Sequence, residues 1–360
     1  MSQPIHEHVT GQKAAGDETA PSPSTPEKPG NLPDGNTNAD LPGHTDVKTL
    51  VANAITRLQG ILFENLPRRG LSTGLSELDD MSNGLEPGRV YVIAARPSMG
   101  KTSLLLQILG EICIKQEIPS LLFTGDLTIP QVIDRLIFNR AMTPPYYFYD
   151  PDYRPTKGDL GRIKKSAQEL ASSGLVLDDS RNMTIEAIAA KVREERDKRS
   201  IGLIVIDHLH SIRSESTPPG TSRKAEMTAV IRSIRDLAQE LELPILMSAQ
   251  LKRRADGRLP RSGDIRESGA IEHEADFIAL LHREGPIPHE NCCDLLIAKN
   301  NNGPLGTIGL LFIADIQRFE NGPIFPDAPN VANLTEEEQE MTNAWRDYQN
   351  EKDSPLKCHD

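Results

Sequence analysis

Cysteine is scarce in this sequence: there are four in 360 residues, and two of them are the adjacent Cys292 and Cys293. That is neither a disulfide framework nor a zinc-ligand spacing, and buried thiols in a reducing compartment are the simpler expectation. Long apolar runs are missing too. No stretch approaches the ~20 residues that a membrane-spanning helix needs, and no signal peptide opens the chain. A soluble, cytoplasmic protein with no membrane partner is expected. No internal repeat suggests a stacked array.

Large apolar side chains are almost absent from residues 1–44, which are rich in Pro, Gly, Ser, Thr, Asn and Asp. Such a segment cannot bury enough surface to offset chain entropy, so residues 1–44 are expected to be a disordered tail. Positive charge is also in deficit, with a formal net charge of -12. The deficit is uneven: about -4 falls in residues 1–50 and about -6 in residues 326–360, leaving the centre near -2. Residues 326–360 therefore read as an acidic appendage. Within the centre, Lys252, Arg253, Arg254, Arg258, Arg261 and Arg266 form a basic cluster diluted only by Asp256 and Asp264. A basic loop on a near-neutral domain is compatible with a nucleic-acid partner, with Arg253 and Arg254 among the candidate contacts.

What the sequence does contain is Ala95-Arg96-Pro97-Ser98-Met99-Gly100-Lys101-Thr102, set between an apolar run, Val90 to Ala94, and an amphipathic one beginning at Ser103. This order predicts a strand, a phosphate-cradling loop and a helix. A triphosphate at a helix N-terminus meets backbone N–H groups and the positive end of the helix dipole, and Gly100 lets the backbone approach without a Cβ in the way. Lys101 can reach the β- and γ-phosphates of ATP, and the Thr102 hydroxyl can hold Mg²⁺. The first position of the loop is Ala95 rather than glycine.

Strands are predicted at Val90 to Ala94, Ser120 to Thr124, Leu175 to Leu177, Leu203 to Ile206, Pro244 to Ser248, Phe277 to His282, Asp294 to Ala298 and Ile308 to Ile313. Helices fit Lys101 to Lys115, Pro130 to Met142, Ile185 to Lys198 and Ala225 to Leu241. The alternation predicts an α/β fold whose mostly parallel sheet has helices on both faces and an antiparallel edge. Before it, Val47, Leu50, Val51, Ala54, Ile55, Leu58, Ile61 and Leu62 recur at helical spacing behind the caps Thr45 and Asp46. That lone helix, residues 45–63, packs either on its own domain or on a neighbouring subunit. The run Leu203-Ile204-Val205-Ile206-Asp207 places Asp207 at the carboxyl end of a buried parallel strand, where ligands of open α/β sheets bind and where it could serve the same Mg²⁺ as Thr102. His208 and His210 read as ordinary strand-end residues.

Together these segments resemble the RecA-like motor domain of DnaB-type replicative helicases, a P-loop NTPase fold. The likeness spans residues 46 to 325, with the motor domain taken as 64–325. Residues 94–102 are similar to the family's Walker A loop, Leu203 to His210 to its Walker B strand, and Leu246-Met247-Ser248-Ala249-Gln250-Leu251 to its sensor strand. Asp264-Ile265-Arg266-Glu267-Ser268-Gly269-Ala270-Ile271-Glu272-His273-Glu274-Ala275-Asp276 resembles its DNA-binding motif, and Lys299-Asn300-Asn301-Asn302-Gly303-Pro304 with Gln317-Arg318-Phe319 its closing hairpin.

The resemblance implies a hexameric ring that binds ATP between subunits and moves along single-stranded DNA during replication. It implies that Arg266, Glu267 and Gly269 grip DNA phosphates, and that Gln250 couples the γ-phosphate to the DNA loops. It makes residues 45–63 a linker helix docking on the adjacent subunit, and a helicase loader or replication initiator a further partner. Three departures stand against it. A tail stands where the family has an N-terminal domain. Asp126 holds the position of the catalytic glutamate, one methylene shorter. Asn301 holds the position of an arginine finger, with Lys299 and Arg318 remaining beside it. The expected activity is an ATP-hydrolysing DNA helicase; the alternative is an ATP- and DNA-binding accessory ring with weak or no hydrolysis.

Overall fold

The computed structural model describes residues 47–63, 70–146, 155–253, 258–283 and 292–322. The expected disordered tail, the caps Thr45 and Asp46, Arg254 and the acidic appendage lie outside these residues. The chain divides into two compact units at Gly60. Most of helix α1, Val47–Phe63, falls in the first, and on it Val47, Val51 and Ile55 recur every four residues as an exposed apolar stripe.

The second unit is organised by one sheet. Its strands are β1 (Val90–Ala95), β2 (Ser120–Thr124), β3 (Leu175–Asp178), β4 (Leu203–Asp207), β5 (Ile245–Gln250), β6 (Phe277–His282), β7 (Cys292–Asn300), β8 (Gly306–Ile313) and β9 (Arg318–Asn321). They lie in the order β3-β2-β4-β5-β1-β6-β7-β8-β9. The pairs among β1 to β6 are parallel. The pairs β6–β7, β7–β8 and β8–β9 are antiparallel. Parallel neighbours need a crossover, usually helical, whereas antiparallel neighbours can follow one another directly, which is why the helix-free end of the sequence forms the antiparallel edge.

The helices of this unit are α2 (Ser76–Ser82), α3 (Lys101–Gly110), α4 (Ile129–Ala141), α5 (Lys157–Ser172), α6 (Ile185–Lys198), α7 (Arg223–Leu241) and α8 (Ser268–Glu274). Successive strand residues point to opposite faces, so β1 feeds two cores. Val90, Val92 and Ala94 pack with Ile188 of α6, Val230 and Ile234 of α7 and Ile271 of α8. Tyr91, Ile93 and Ala95 pack with Leu78 of α2, Leu104 and Ile108 of α3 and Val132 of α4. Both faces are thus covered, as the uninterrupted apolar strands require.

The expected helix from Lys101 to Lys115 is corrected in its last turn. It is α-helical to Gly110 and continues as a π-helical turn over Glu111–Lys115. Ile112, Cys113 and Ile114 are consecutive and all buried. A regular helix presents only one stripe to a core, and the wider turn lets three neighbouring side chains enter it. Helices α2, α5 and α8 and strand β9 were not expected from the pattern.

The loop between β4 and α7 is tied down by one carboxylate. Glu186 of α6 accepts hydrogen bonds from Ser214 Oγ at 3.0 Å, Ser216 Oγ at 2.7 Å and the Glu215 and Ser216 backbone N–H groups at 3.1 Å each. Partial burial pushes its pKa up, but the bonds from Ser216 and Glu215 outweigh that and hold it at about 2. A carboxyl held below its ordinary 4.5 stabilises the fold fully above that pH, and the contribution fades as the pH falls toward about 2. Glu186→Gln should therefore lower the thermal unfolding midpoint at pH 7, with the gap from wild type closing between pH 4.5 and about 2. A gap constant with pH in that window would contradict the assignment.

Candidate active site

The chain leaves β1 at Ala95, turns through Arg96–Gly100 and enters α3 at Lys101. Two residues of the turn are left-handed, Ser98 at φ 66° and Gly100 at φ 92°. Gly100 is needed twice over. A Cβ there would lie 2.8 Å from Phe319 Cζ and 3.2 Å from Phe312 Cε2, in addition to the backbone strain of a positive φ. The two rings stack 4.6 Å apart, and Gln107 of α3 clamps the Phe319 backbone, donating to its carbonyl and accepting from its N–H at 2.7 Å each. The antiparallel edge thus buttresses the loop from beneath. The first N–H groups of α3 have no acceptor within the helix, which makes this end an anion-binding terminus.

The loop forms one wall of a cleft of about 620 Å³, with Arg96, Pro97, Ser98, Gly100, Lys101 and Thr102 on that wall. Asp126, Arg135, His208 and Gln250 face them. Ala95 and Met99 are not part of the lining; their side chains pack into the core behind it. Asp207 is 2% exposed at the end of β4. Its Oδ2 accepts from Thr102 Oγ1 at 2.8 Å and its Oδ1 from Ser248 Oγ at 2.5 Å. Burial pushes the Lys101 ammonium pKa down, opposed by the charges of Asp207 and Asp126. Asp126, at the tip of β2, is half-exposed, with Oδ2 3.1 Å from His208 Nδ1.

Gln250 ends β5 beside Ala95 of β1. Its carbonyl accepts from the Arg266 N–H at 3.0 Å, and Leu251 pairs with Ile265, so the segment carrying Arg266 is stitched to the strand that lines the cleft. Arg266 and Gly269 are exposed, and Glu267 caps α8 at φ 52°. A Cβ on Gly269 would meet nothing within 4 Å, so its backbone is open to approach. Arg253 is exposed as well. The rest of the basic cluster serves the fold in part: Arg258 binds Asp264 Oδ1 at 2.9 Å and Lys252 Nζ binds the Gly263 carbonyl at 3.1 Å.

Of the closing-hairpin residues Gln317 lines this cleft, whereas Lys299, Asn301 and Arg318 are not part of its lining. Lys299 Nζ donates to the Glu272 carbonyl at 2.7 Å, and Arg318 Nε to Glu320 Oε1 at 2.5 Å. Asn301 Nδ2 donates to Asp276 Oδ1 at 3.1 Å and its N–H to the Asp276 carbonyl at 3.0 Å, so it fixes its own turn. Several lining residues escaped the sequence reading, Arg135, Phe312 and Ala314 among them. Arg135 of α4 sits between buried Val132 and Leu136, and burial lowers its pKa against the charge of Asp207. A cation among the apolar positions of a helix, close after Asp126, was the available signal. Among the described residues no group of three His, Cys, Asp or Glu side chains is arranged to hold a metal.

The model of the DnaB-like helicase C-terminal domain matches residues 70–321. A replicative DNA helicase DnaB of Leifsonia xyli subsp. xyli is 33% identical over 282 residues, which cover 75% of this chain and 60% of the relative. The replicative DNA helicase DnaB of Geobacillus stearothermophilus is 32% identical over 259 residues, covering 70% and 56%. The chain thus spans about three fifths of the length of these curated relatives. A solved ATPase domain superposes with a TM-score of 0.71 at 24% identity, covering 78% of this chain and 100% of that one. A DnaB-like replicative helicase, solved in a study of its interactions with primase, superposes with a TM-score of 0.67 at 26% identity, covering 78% and 68%.

Gly100→Ala tests the loop. The strain of a positive φ at a residue bearing a Cβ, of order 1–3 kcal/mol, adds to the collision with Phe319, so both the unfolding midpoint and affinity for a nucleoside triphosphate should fall. An unchanged affinity would mean that the loop geometry does not set binding.

Proposed function

This chain belongs to the DnaB-like helicase C-terminal domain family, and from that premise we propose that it is an ATP-hydrolysing DNA helicase motor that works as a ring, a hexamer, on single-stranded DNA during replication. The observation that carries the proposal is the convergence of Lys101, Thr102, Asp126 and Gln250 on one cleft, with buried Asp207 bonded to Thr102 behind it and Gln250 hydrogen-bonded to the Arg266 segment.

In this reading Lys101 and the N–H groups of the loop hold the triphosphate, and Arg135 adds a second cation on the opposite wall. The donor set at Thr102 and Asp207 is all oxygen, which suits a hard divalent cation such as Mg²⁺. Thr102 and Asp207 would hold such an ion, which would supply neutralisation of the charge that develops on the phosphates. Asp126 orients the attacking water, Gln250 reports on the γ-phosphate, and Arg266, Arg253 and the backbone around Glu267 and Gly269 hold DNA phosphates without reading bases. The exposed stripe of α1 supports its role as a linker helix on a neighbouring subunit, from which Lys299 and Arg318 reach the adjacent nucleotide. A helicase loader or replication initiator is the further partner.

Asn301 favours a second reading. Its side chain is spent on Asp276 where an arginine finger would stand, and a missing finger costs on the order of 10³ to 10⁵ in rate in other phosphoryl-transfer enzymes. The second reading is a ring that binds nucleotide and DNA as a switch and turns over slowly.

Steady-state hydrolysis separates the two. With Mg²⁺-ATP, wild type should be stimulated by single-stranded DNA, Lys101→Ala should lose about 10²-fold or more, and Asp126→Glu should raise the rate. Wild type no faster than Lys101→Ala selects the switch. Arg266→Ala should weaken DNA binding alike for every sequence and reduce the salt slope by about one; a sequence-dependent loss would remove Arg266 from the phosphate contacts.

A further inference from the structure

Between the nucleotide cleft and the Arg266 segment lie two histidines, His208 and His210, directly after the buried Asp207. His208 Nδ1 stands 3.1 Å from Asp126 Oδ2 in the cleft. His210 points the other way: its Nε2 is 3.2 Å from the Arg266 carbonyl and 3.1 Å from Glu267 Oε2. The rings are 6.1 Å apart and tilted by 32°. The two side chains therefore span from the carboxylate at the tip of β2 to the two residues at the start of α8.

Their polar atoms are not at rest. His208 Nδ1, His210 Nδ1 and Glu267 Oε2 are buried and lack an aligned hydrogen bond, although His208 Nδ1 and Glu267 Oε2 each have an oppositely charged or chargeable group within 3.1 Å. The distances suit a bond and the angles do not, so a modest rotation of ring or carboxylate would complete one. A buried unmade hydrogen bond costs about 1–3 kcal/mol, which gives this cluster a reason to prefer a second arrangement. Glu267 adds to it, since a residue other than glycine at φ 52° is held in a sparsely populated conformation. Burial keeps the His210 pKa below its ordinary value, so its imidazole is neutral and one ring nitrogen is a donor.

We propose that His208 and His210 are positioning residues that couple the two ends of this site: His210 senses the placement of the Arg266–Glu267 turn, and His208 sets the orientation of the Asp126 carboxylate. A shift of the turn on engaging a phosphate backbone alters the bond to His210. Because His208, Leu209 and His210 form one short segment whose Leu209 is fully buried, that shift is passed to Asp126. This rests on the reading of the cleft as a nucleotide site and of the turn as a DNA contact.

Coupling is a ratio of affinities and is measurable without hydrolysis. The affinity of the full chain for a single-stranded oligonucleotide is measured with and without a non-hydrolysable ATP analogue and Mg²⁺. Wild type should show a ratio of about fivefold or more. His210→Ala and His208→Ala should each bring it near one while both ligands still bind. His210→Gln, whose amide can replace the Nε2 donor, and His208→Asn, whose amide can replace Nδ1, should restore most of it. Rescue separates a hydrogen-bonding role from simple packing, and alanine variants that keep the wild-type ratio overturn the proposal. Wild type that binds both ligands with no coupling also overturns it, leaving the two binding sites standing. Wild type that binds neither ligand removes the underlying reading and the proposal together.

Discussion

Asp207 holds the centre of this molecule together. A carboxylate 2% exposed in a sheet interior is costly unless its lone pairs are filled, and here Thr102 and Ser248 fill them from two different elements. Through those bonds the end of β4 fixes the start of α3 and the middle of β5, and its carbonyl accepts from the Gly125 N–H at 2.7 Å to fix the tip of β2. Three elements, α3 with Lys101 and Thr102, β2 with Asp126 beyond its end and β5 with Gln250, are thereby registered on one residue. The same bonds that organise the fold bring together the oxygen atoms proposed above to hold Mg²⁺, so structure and the proposed chemistry share one interaction.

The two-faced sheet supplies the rigidity this needs. Alternate residues of β1 enter separate cores, so the loop that follows it is anchored from both sides. The antiparallel edge is no ornament either: Phe312 and Phe319 pack under Gly100, and Gln107 ties that edge back to α3. The phosphate-loop conformation thus depends on residues more than two hundred positions away in the chain.

Much of this was legible in the sequence where one element carries its own signal. Branched apolar runs marked strands β1, β2, β4 and β6, and their separation by amphipathic runs marked them as parallel. Gly100-Lys101-Thr102 and the carboxylate ending β4 marked the cleft. What stayed hidden depended on tertiary context. Helix α5 buries only Ser166 fully and shows little apolar face, and β9 is four residues with a single buried side chain, Phe319. Arg135 looked like one more helix cation until α4 was packed beside the cleft. In the basic cluster the sequence also hid that Lys252 and Arg258 are partly engaged in holding their own loop. His208 and His210 looked like ordinary strand ends until folding set Asp126 on one side of them and Glu267 on the other.

The proposed motor converts nucleotide turnover in the cleft beside Asp207 into movement along a strand through the Gln250–Arg266 connection. Strand displacement on a forked DNA duplex measures this most directly. The displaced strand should accumulate with Mg²⁺-ATP and not with a non-hydrolysable analogue. Binding of ATP and of single-stranded DNA without any displacement in the presence of Mg²⁺-ATP would contradict it.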